Sequence, residues 1–329
     1  MCHSPLSLFA ASKAANRPLF IQAPMVRYSK LPFRALVRDY SVDLCYTPMI
    51  LAKEFVRSEA ARRSDFTTAL SDAPLMVQFG ASEITDFARA AEMVQPYCDG
   101  VNLNCGCPQS WAISEGVGCA LMRKAKLVRD MVKAAKQRCG SAFCISVKIR
   151  IHADIEETRR FVRIVQDGSG VDYITIHGRT KNTRSSIPVD LDGIRKVAEV
   201  CEVPTVANGD VFSREDAFRI AEFCGVDGVM AARGLMTNPA LFSGYKKTPW
   251  GAVERFMDYA VEYPIPFRLT QHHIFDMLDQ VIPKKERVLM NETTNTLVEM
   301  IDWLDERFVL RRKGDPGFVS HERTLLPLF

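Results

Sequence analysis

Eight short β-prone runs, each followed by enough chain for one helix, set the frame for this 329-residue sequence. They are LFIQAPM (19–25), VDLCYTPM (42–49), LMVQFG (75–80), GVNLNCGCP (100–108), FCISVKIR (143–150), DYITIHGR (172–179), VPTVANGD (203–210) and DGVMAARG (227–234). Each spacing leaves room for a helix and two loops, as a parallel β-α unit requires. Helical periodicity fills the gaps. In DFARAAEMV, Phe87, Ala90, Ala91 and Val94 fall at i, i+3, i+4 and i+7. Ser213 reads as an N-cap, with Asp216 giving an acidic first turn. Near-continuous apolar strands alternating with amphipathic helices predict a parallel sheet covered by helices. Eight such units in about 240 residues fit an α/β fold of the (β/α)8 TIM-barrel type. A doubly wound sheet would place a glycine-rich turn after its first strand, where this chain has PMVRYS. GVGCA (116–120) mimics that fingerprint. It follows its strand too late and has no acid about 20 residues on, so it reads as a turn opening a helix.

After about residue 246 no β-prone run follows. Val253, Phe256, Met257, Ala260 and Val261 mark one helical stripe. Ile274, Leu278, Val281 and Ile282 mark a second, and Leu297, Ile301, Leu304 and Phe308 a third. The expected organisation is a loose N-terminus (1–17), a barrel (18–245) and a smaller all-helical C-terminal domain (246–329). That last segment holds 12 lysines and arginines against 13 acids, so the net charge of +4 lies in the barrel. Its clusters Lys284–Arg287 and Arg311–Lys313 read as solvated helix faces that can touch phosphates. A charge of +4 is far from that of a polybasic binder. No run approaches the ~18 apolar residues of a membrane span. Ten cysteines include no C-x-x-C pair, so zinc and thioredoxin chemistry lack their spacing; no metal site is expected. Most cysteines, apart from Cys2 near the start, sit in apolar runs and read as small buried hydrophobes in a reduced protein.

The ends of the runs carry the chemistry, because in a barrel they converge on one mouth. Asn208-Gly209-Asp210 and Ala232-Arg233-Gly234 end the last two runs. Loops there are a common phosphate site, and glycines let backbone N–H groups approach an anion while Arg adds a planar fork. Phosphate binding is the favoured reading, over two tight turns with a surface Arg. Lys148 lies in an otherwise apolar strand. It suits a Schiff base, a cation against an electron-rich ring, or an internal ion pair. His177 ends the next run, and Gln78 offers an amide that both donates and accepts. In NCGCP, Gly106 and Pro108 shape a sharp turn that presents Cys107, while Cys105 faces packing. A free thiol with pKa near ~8.5 is mostly protonated at neutral pH and can act as an acid.

Taken together, APM (23–25), Gln78, NCGCP (104–108), Lys148, HGRT (177–180), NGD (208–210) and ARG (232–234) resemble the tRNA-dihydrouridine synthase family. APMVRYSKLPFR, CYTPM and GCPQSWA are similar to its eukaryotic subfamily assigned to uridines 20a and 20b of the D-loop. Val26-Arg27-Tyr28-Ser29 replaces the Gly/Val-Thr-Asp pattern common after APM elsewhere in the family. The resemblance implies an FMN oxidoreductase that uses NADPH to saturate the C5=C6 bond of uridine. It implies that Pro24, Met25 and Val26 line the flavin and that Gln78 and Lys148 hold its ring. His177 would lie near the ring or base. Asn208, Gly209, Asp210, Ala232 and Arg233 would hold the phosphate. Asn104 and Arg179 would contact the substrate. Cys107 would protonate C5 opposite a hydride delivered to C6, and the base must first be turned out of the RNA.

The implied partners are tRNA, gripped by the helical domain, and NADPH; a monomer acting in the cytoplasm is expected. Nucleus and mitochondrion stay open. The Ala/Ser-rich start, with Lys13, Arg17 and no acid, is not a secretory signal but shares features with a transit peptide. Three alternatives remain at this level: another flavin barrel acting on a small pyrimidine, an RNA-binding scaffold without catalysis, and a lysine aldolase using Lys148.

Overall fold

The computed structural model describes residues 4–321; Cys2 and the end of the expected helical domain lie outside the described residues. Nine parallel strands form one sheet: β1 Leu19–Gln22, β2 Cys45–Tyr46, β3 Ile50–Leu51, β4 Leu75–Gly80, β5 Gly100–Cys105, β6 Cys144–Arg150, β7 Tyr173–His177, β8 Thr205–Asn208 and β9 Gly228–Ala231. Their order is β1-β9-β8-β7-β6-β5-β4-β2, with β3 pairing the end of β4. A bridge between Ile21 and Leu44 closes the ring, and Gln22 N donates to Leu44 O at 3.0 Å. Eight of the strands coincide with the eight runs. The second is shorter than its run, since only Cys45 and Tyr46 pair, and β3 is an addition that no periodicity announced.

Helices cover the outside. Ile84–Val94 buries Phe87, Ala90, Ala91 and Val94, the stripe legible in sequence. Ser213 caps Arg214–Cys224 by accepting from Asp216 N, and GVGCA opens a 3-10 turn at Gly118. Residues two apart share one face of a strand, and this alternation sorts the barrel interior. Its lower part is apolar, from Leu19, Ile21, Leu44, Met76, Val206 and Met230. Above it the inward positions turn polar: Gln78, Asn102, Asn104, Ser146, Lys148, Thr175, His177 and Asn208.

The N-terminal segment is not loose. Pro5–Ala14 is a helix with Pro in its first turn, and Phe9 packs into the foot of the barrel, its ring 5.2 Å from that of Tyr173. The segment looks disordered in sequence because one aromatic anchor among Ala and Ser makes no stripe.

Among the described residues the C-terminal part holds four helices, Trp250–Glu262, Phe267–Met277, Lys284–Thr293 and Leu297–Asp305. Val253, Phe256, Met257 and Ala260 are buried as expected, but Val261 is 58% exposed. The first of these helices packs on Leu31–Arg38, with Asp39 accepting from Arg255 (2.7 Å) and Tyr259 (2.8 Å). His273 Nε2 contacts Tyr28 O at 3.0 Å, tying the second helix to the loop after β1. Arg34 braces that loop from below. It pairs with Asp72 at 2.6 Å, both 1% exposed, and donates to Ser29 O. Among the described residues no helix is long and apolar enough to cross a membrane.

Candidate active site

The strand register brings the expected residues to one mouth. Asn104 pairs with Lys148 and Lys148 with Thr175; Arg150 pairs with His177 and His177 with Asn208. A small cavity of about 90 Å³ is lined there by Arg150, His177, Asn208, Asp210, Phe212 and Arg233, among others. Four cations converge on this corner: Lys148, Arg150, Arg179 and Arg233 all act on His177, which burial first and these charges next hold far below the ordinary histidine range. His177 is therefore neutral at working pH. Lys148 makes no side-chain hydrogen bond or ion pair among the described residues. Burial, then Arg150, pull its pKa down to about 7. A cation left in this state is prepared for an anionic or electron-rich partner.

Several expected roles change once geometry is visible. Arg179 is 3% exposed and committed inside the protein, donating to Ile187 O and to Asp210 Oδ2, each at 2.6 Å. It holds a loop, while its Nη1 faces His177 Nε2 at 3.3 Å on the wall of the cavity. Asp210 accepts from Arg179, Arg233 (2.8 Å) and Val189 N (2.9 Å), so its carboxylate organises cations instead of meeting a phosphate itself. Burial raises its pKa, but these bonds and charges outweigh that and hold it below the usual carboxylate range. Its φ of 49° is left-handed, a strained setting for a non-glycine residue. Gly209 and Gly234 serve packing as much as ligand approach. A Cβ on Gly234 would stand 2.1 Å from Val211 O, and Gly209 has φ +132° beside Val189. Asn208 spends its amide donor on Met230 O at 2.8 Å. Arg233 remains half-exposed, its guanidinium over the Phe212 ring at 5.2 Å.

On the opposite side of the mouth, NCGC forms the turn expected. Cys105 is fully buried, and burial raises its thiol well above the ordinary range. Cys107 is partly exposed, and its carbonyl accepts from Cys119 N at 2.9 Å. Gly118 lets that contact form, since a Cβ there would lie 2.6 Å from Cys107 O. Cys105 and Cys107 are both free thiols. Asn104 is buried and turned inward: its Oδ1 accepts from Gly106 N and Cys107 N, both at 2.9 Å, and its Nδ2 donates to Gln78 Oε1 at 2.8 Å. It braces the turn and keeps a second amide N–H. Pro24 and Met25 are half-buried and Val26 is 47% exposed; Ser29 Oγ holds Met25 N at 3.0 Å.

Arg150 escaped the sequence reading. It donates to Gly106 O (2.9 Å) and Thr180 O (2.8 Å), bridging the cysteine turn to the loop after β7. Its signal was available, two residues after Lys148 and so on the same face. Phe212 gave none, being one apolar residue in a loop. The phosphate-touching clusters of the helical domain also shrink. Arg287 is 5% exposed and pairs with Asp279 at 2.5 Å, while Arg311 faces Glu254 and Arg312 faces Asp305. Lys284, Lys285 and Lys313 are exposed.

A closed parallel barrel with a cation-rich mouth and a presented thiol defines a barrel enzyme. The solved structure of histamine dehydrogenase from Rhizobium sp. 4-9 shares this fold, with a TM-score of 0.52 and 13% identity over 73% of this chain and 49% of that one. The dihydrouridine synthase family model matches residues 21–324, and the chain belongs to that family. It is 48% identical to a tRNA-dihydrouridine(20a/20b) synthase of Schizosaccharomyces pombe, over 95% of each chain. The Saccharomyces cerevisiae protein of the same name is 47% identical, over 93% of this chain and 84% of its own. A human protein named as similar to that synthase is 42% identical, over 92% and 94%.

Proposed function

We propose that this chain is a tRNA-dihydrouridine synthase that reduces the C5=C6 bond of uridine at positions 20a and 20b, with FMN as its flavin and NADPH as reductant. The observation that carries this reading is the unpartnered Lys148 side chain in the barrel mouth, beside Asn104, which holds both the Gln78 amide and the Cys107 turn. The chemistry a bound flavin supplies is hydride delivery to C6. Lys148 fits the electron-rich side of its ring and regains its charge there. Gln78 offers the ring edge one N–H and one lone pair, the capacity its internal bonds leave. Pro24, Met25 and Val26 form the wall beside it. Arg233, set by Asp210, supplies a positive fork for one phosphate in the small cavity beside Asn208, Gly209 and Ala232. A mononucleotide with a single phosphate matches that corner.

Cys107 Sγ holds the proton for C5. Neutral His177 lies deeper, its Nε2 accepting from Arg179 and its Nδ1–H left to donate without adding charge. Exposed Lys181 and Arg184 beside the mouth, with Lys284 and Lys285 on the helical domain, give the tRNA backbone a sparse set of phosphate contacts. The test is to map dihydrouridine in tRNA from cells lacking the protein. Loss confined to 20a and 20b is expected, and intact modification at both would refute the reading.

A further inference from the structure

A single file of side chains crosses the upper barrel. Gly106 N and Cys107 N donate to Asn104 Oδ1, Asn104 Nδ2 to Gln78 Oε1 (2.8 Å), Gln78 Nε2 to Asn102 Oδ1 (2.7 Å) and Asn102 Nδ2 to Ser146 Oγ (2.8 Å). Gln78, Asn102 and Ser146 are at most 1% exposed and Asn104 is 9% exposed, so water cannot substitute for a lost partner. An amide can be turned end for end, but this file has one fixed terminus. Backbone N–H groups only donate. They force Asn104 to present oxygen to the cysteine turn and nitrogen to Gln78. Gln78 must then face Asn104 with oxygen and Asn102 with nitrogen, and the next link follows. At the far end Ser146 lies among the Tyr46 and Tyr173 hydroxyls; every group there is a hydroxyl, which accepts or donates by rotating, so that end dictates nothing.

We propose that Asn104 is a positioning residue: the cysteine turn acts through it to decide which end of the Gln78 amide meets the flavin. The turn that carries the proton donor and the amide that reads the coenzyme are thereby set by one polarity. This inference rests on the flavin reading above.

Two substitutions separate polarity from charge. In Asn104→Asp the new oxygen faces Gln78, so Gln78 and Asn102 invert while Ser146 turns to donate; every partner is satisfied, but the flavin meets the wrong end. In Asn102→Asp a carboxylate enters one link along, and Gln78 keeps its orientation because its nitrogen still finds an acceptor. FMN titration and the visible flavin spectrum are measured on both. Asn104→Asp is expected to bind FMN roughly tenfold more weakly with displaced absorption bands. Asn102→Asp is expected to stay near wild type in both. Equal effects from the two would mean that charge, not polarity, is responsible, and would overturn the proposal. If Asn104→Asp does not fold, Ser146→Ala decides. Unchanged bands are expected because the orientation comes from the turn, whereas displaced bands place its origin at the serine end and overturn the proposal. Wild-type protein unable to take up FMN would instead sink the flavin reading.

Discussion

Arg179 Nη2 lies 2.6 Å from Asp210 Oδ2, joining the loop after β7 to the loop after β8. The arginine is 3% exposed, so it depends on this carboxylate for compensation. Asp210→Ala should lower stability by roughly 2–3 kcal/mol, somewhat under the ~3–5 of a fully buried pair. It should also loosen FMN, because Arg233 loses its anchor. The folded pKa of Asp210 lies below its ordinary 3.8. Its stabilisation is therefore whole above that value and lost as pH falls through the folded pKa. Urea unfolding of wild type and variant across the acid range checks this; equal stability at pH 7 would dismiss the pair.

Lys148 has the opposite signature. Its folded pKa of about 7 lies below the ordinary 10.5, so the unfolded chain binds more protons between those values. Stability of the FMN-free protein should rise with pH over that window. Lys148→Met should stabilise the FMN-free protein at pH 7, by on the order of a few kcal/mol at most, and the gain should shrink towards pH 10. The same variant should bind FMN poorly. Calorimetry at pH 8 in two buffers should show proton uptake as FMN restores the cation; uptake of none would contradict the role.

Cys107→Ala should retain FMN and its reduction by NADPH while turnover on unmodified tRNA falls by about 10²–10⁴, the usual worth of a positioned acid. Cys105→Ala removes only a buried thiol and should mainly cost stability. Near-normal dihydrouridine formation by the Cys107 variant, read by mass spectrometry, would strip the thiol of its part.

Arg287 is a structural arginine despite its basic neighbours. It donates to Phe275 O and Asp279 and lies over the Phe275 ring at 4.5 Å. Arg287→Ala should lower the melting temperature, and KM for tRNA should change little in the folded fraction. The double substitution Lys284→Ala and Lys285→Ala should do the reverse, raising KM and flattening its salt dependence. A double variant with wild-type KM at low and high salt would move the tRNA elsewhere.

The barrel was legible because its strands are short, apolar and evenly spaced, and because period two alone sorts Gln78, Lys148 and His177 onto the inner face. The helix Pro5–Ala14 was not, since Phe9, with Leu8 beside it, finds its socket among residues far along the chain. That these polar strand ends share one mouth could be read from sequence, but not how they bond to one another. Asp210, Arg179 and Asn104 read as ligand contacts because polar residues at strand ends invite that role. The structure adds hydrogen bonds to side chains brought close only by closure of the ring. Arg287 shows the same limit, its charge visible and its burial not.

The Phe9 helix has a consequence beyond order. With Phe9 seated on the apolar layer at its foot, the barrel is plugged from below; if the proposed reaction holds, reductant and transfer RNA would both have to enter from the mouth.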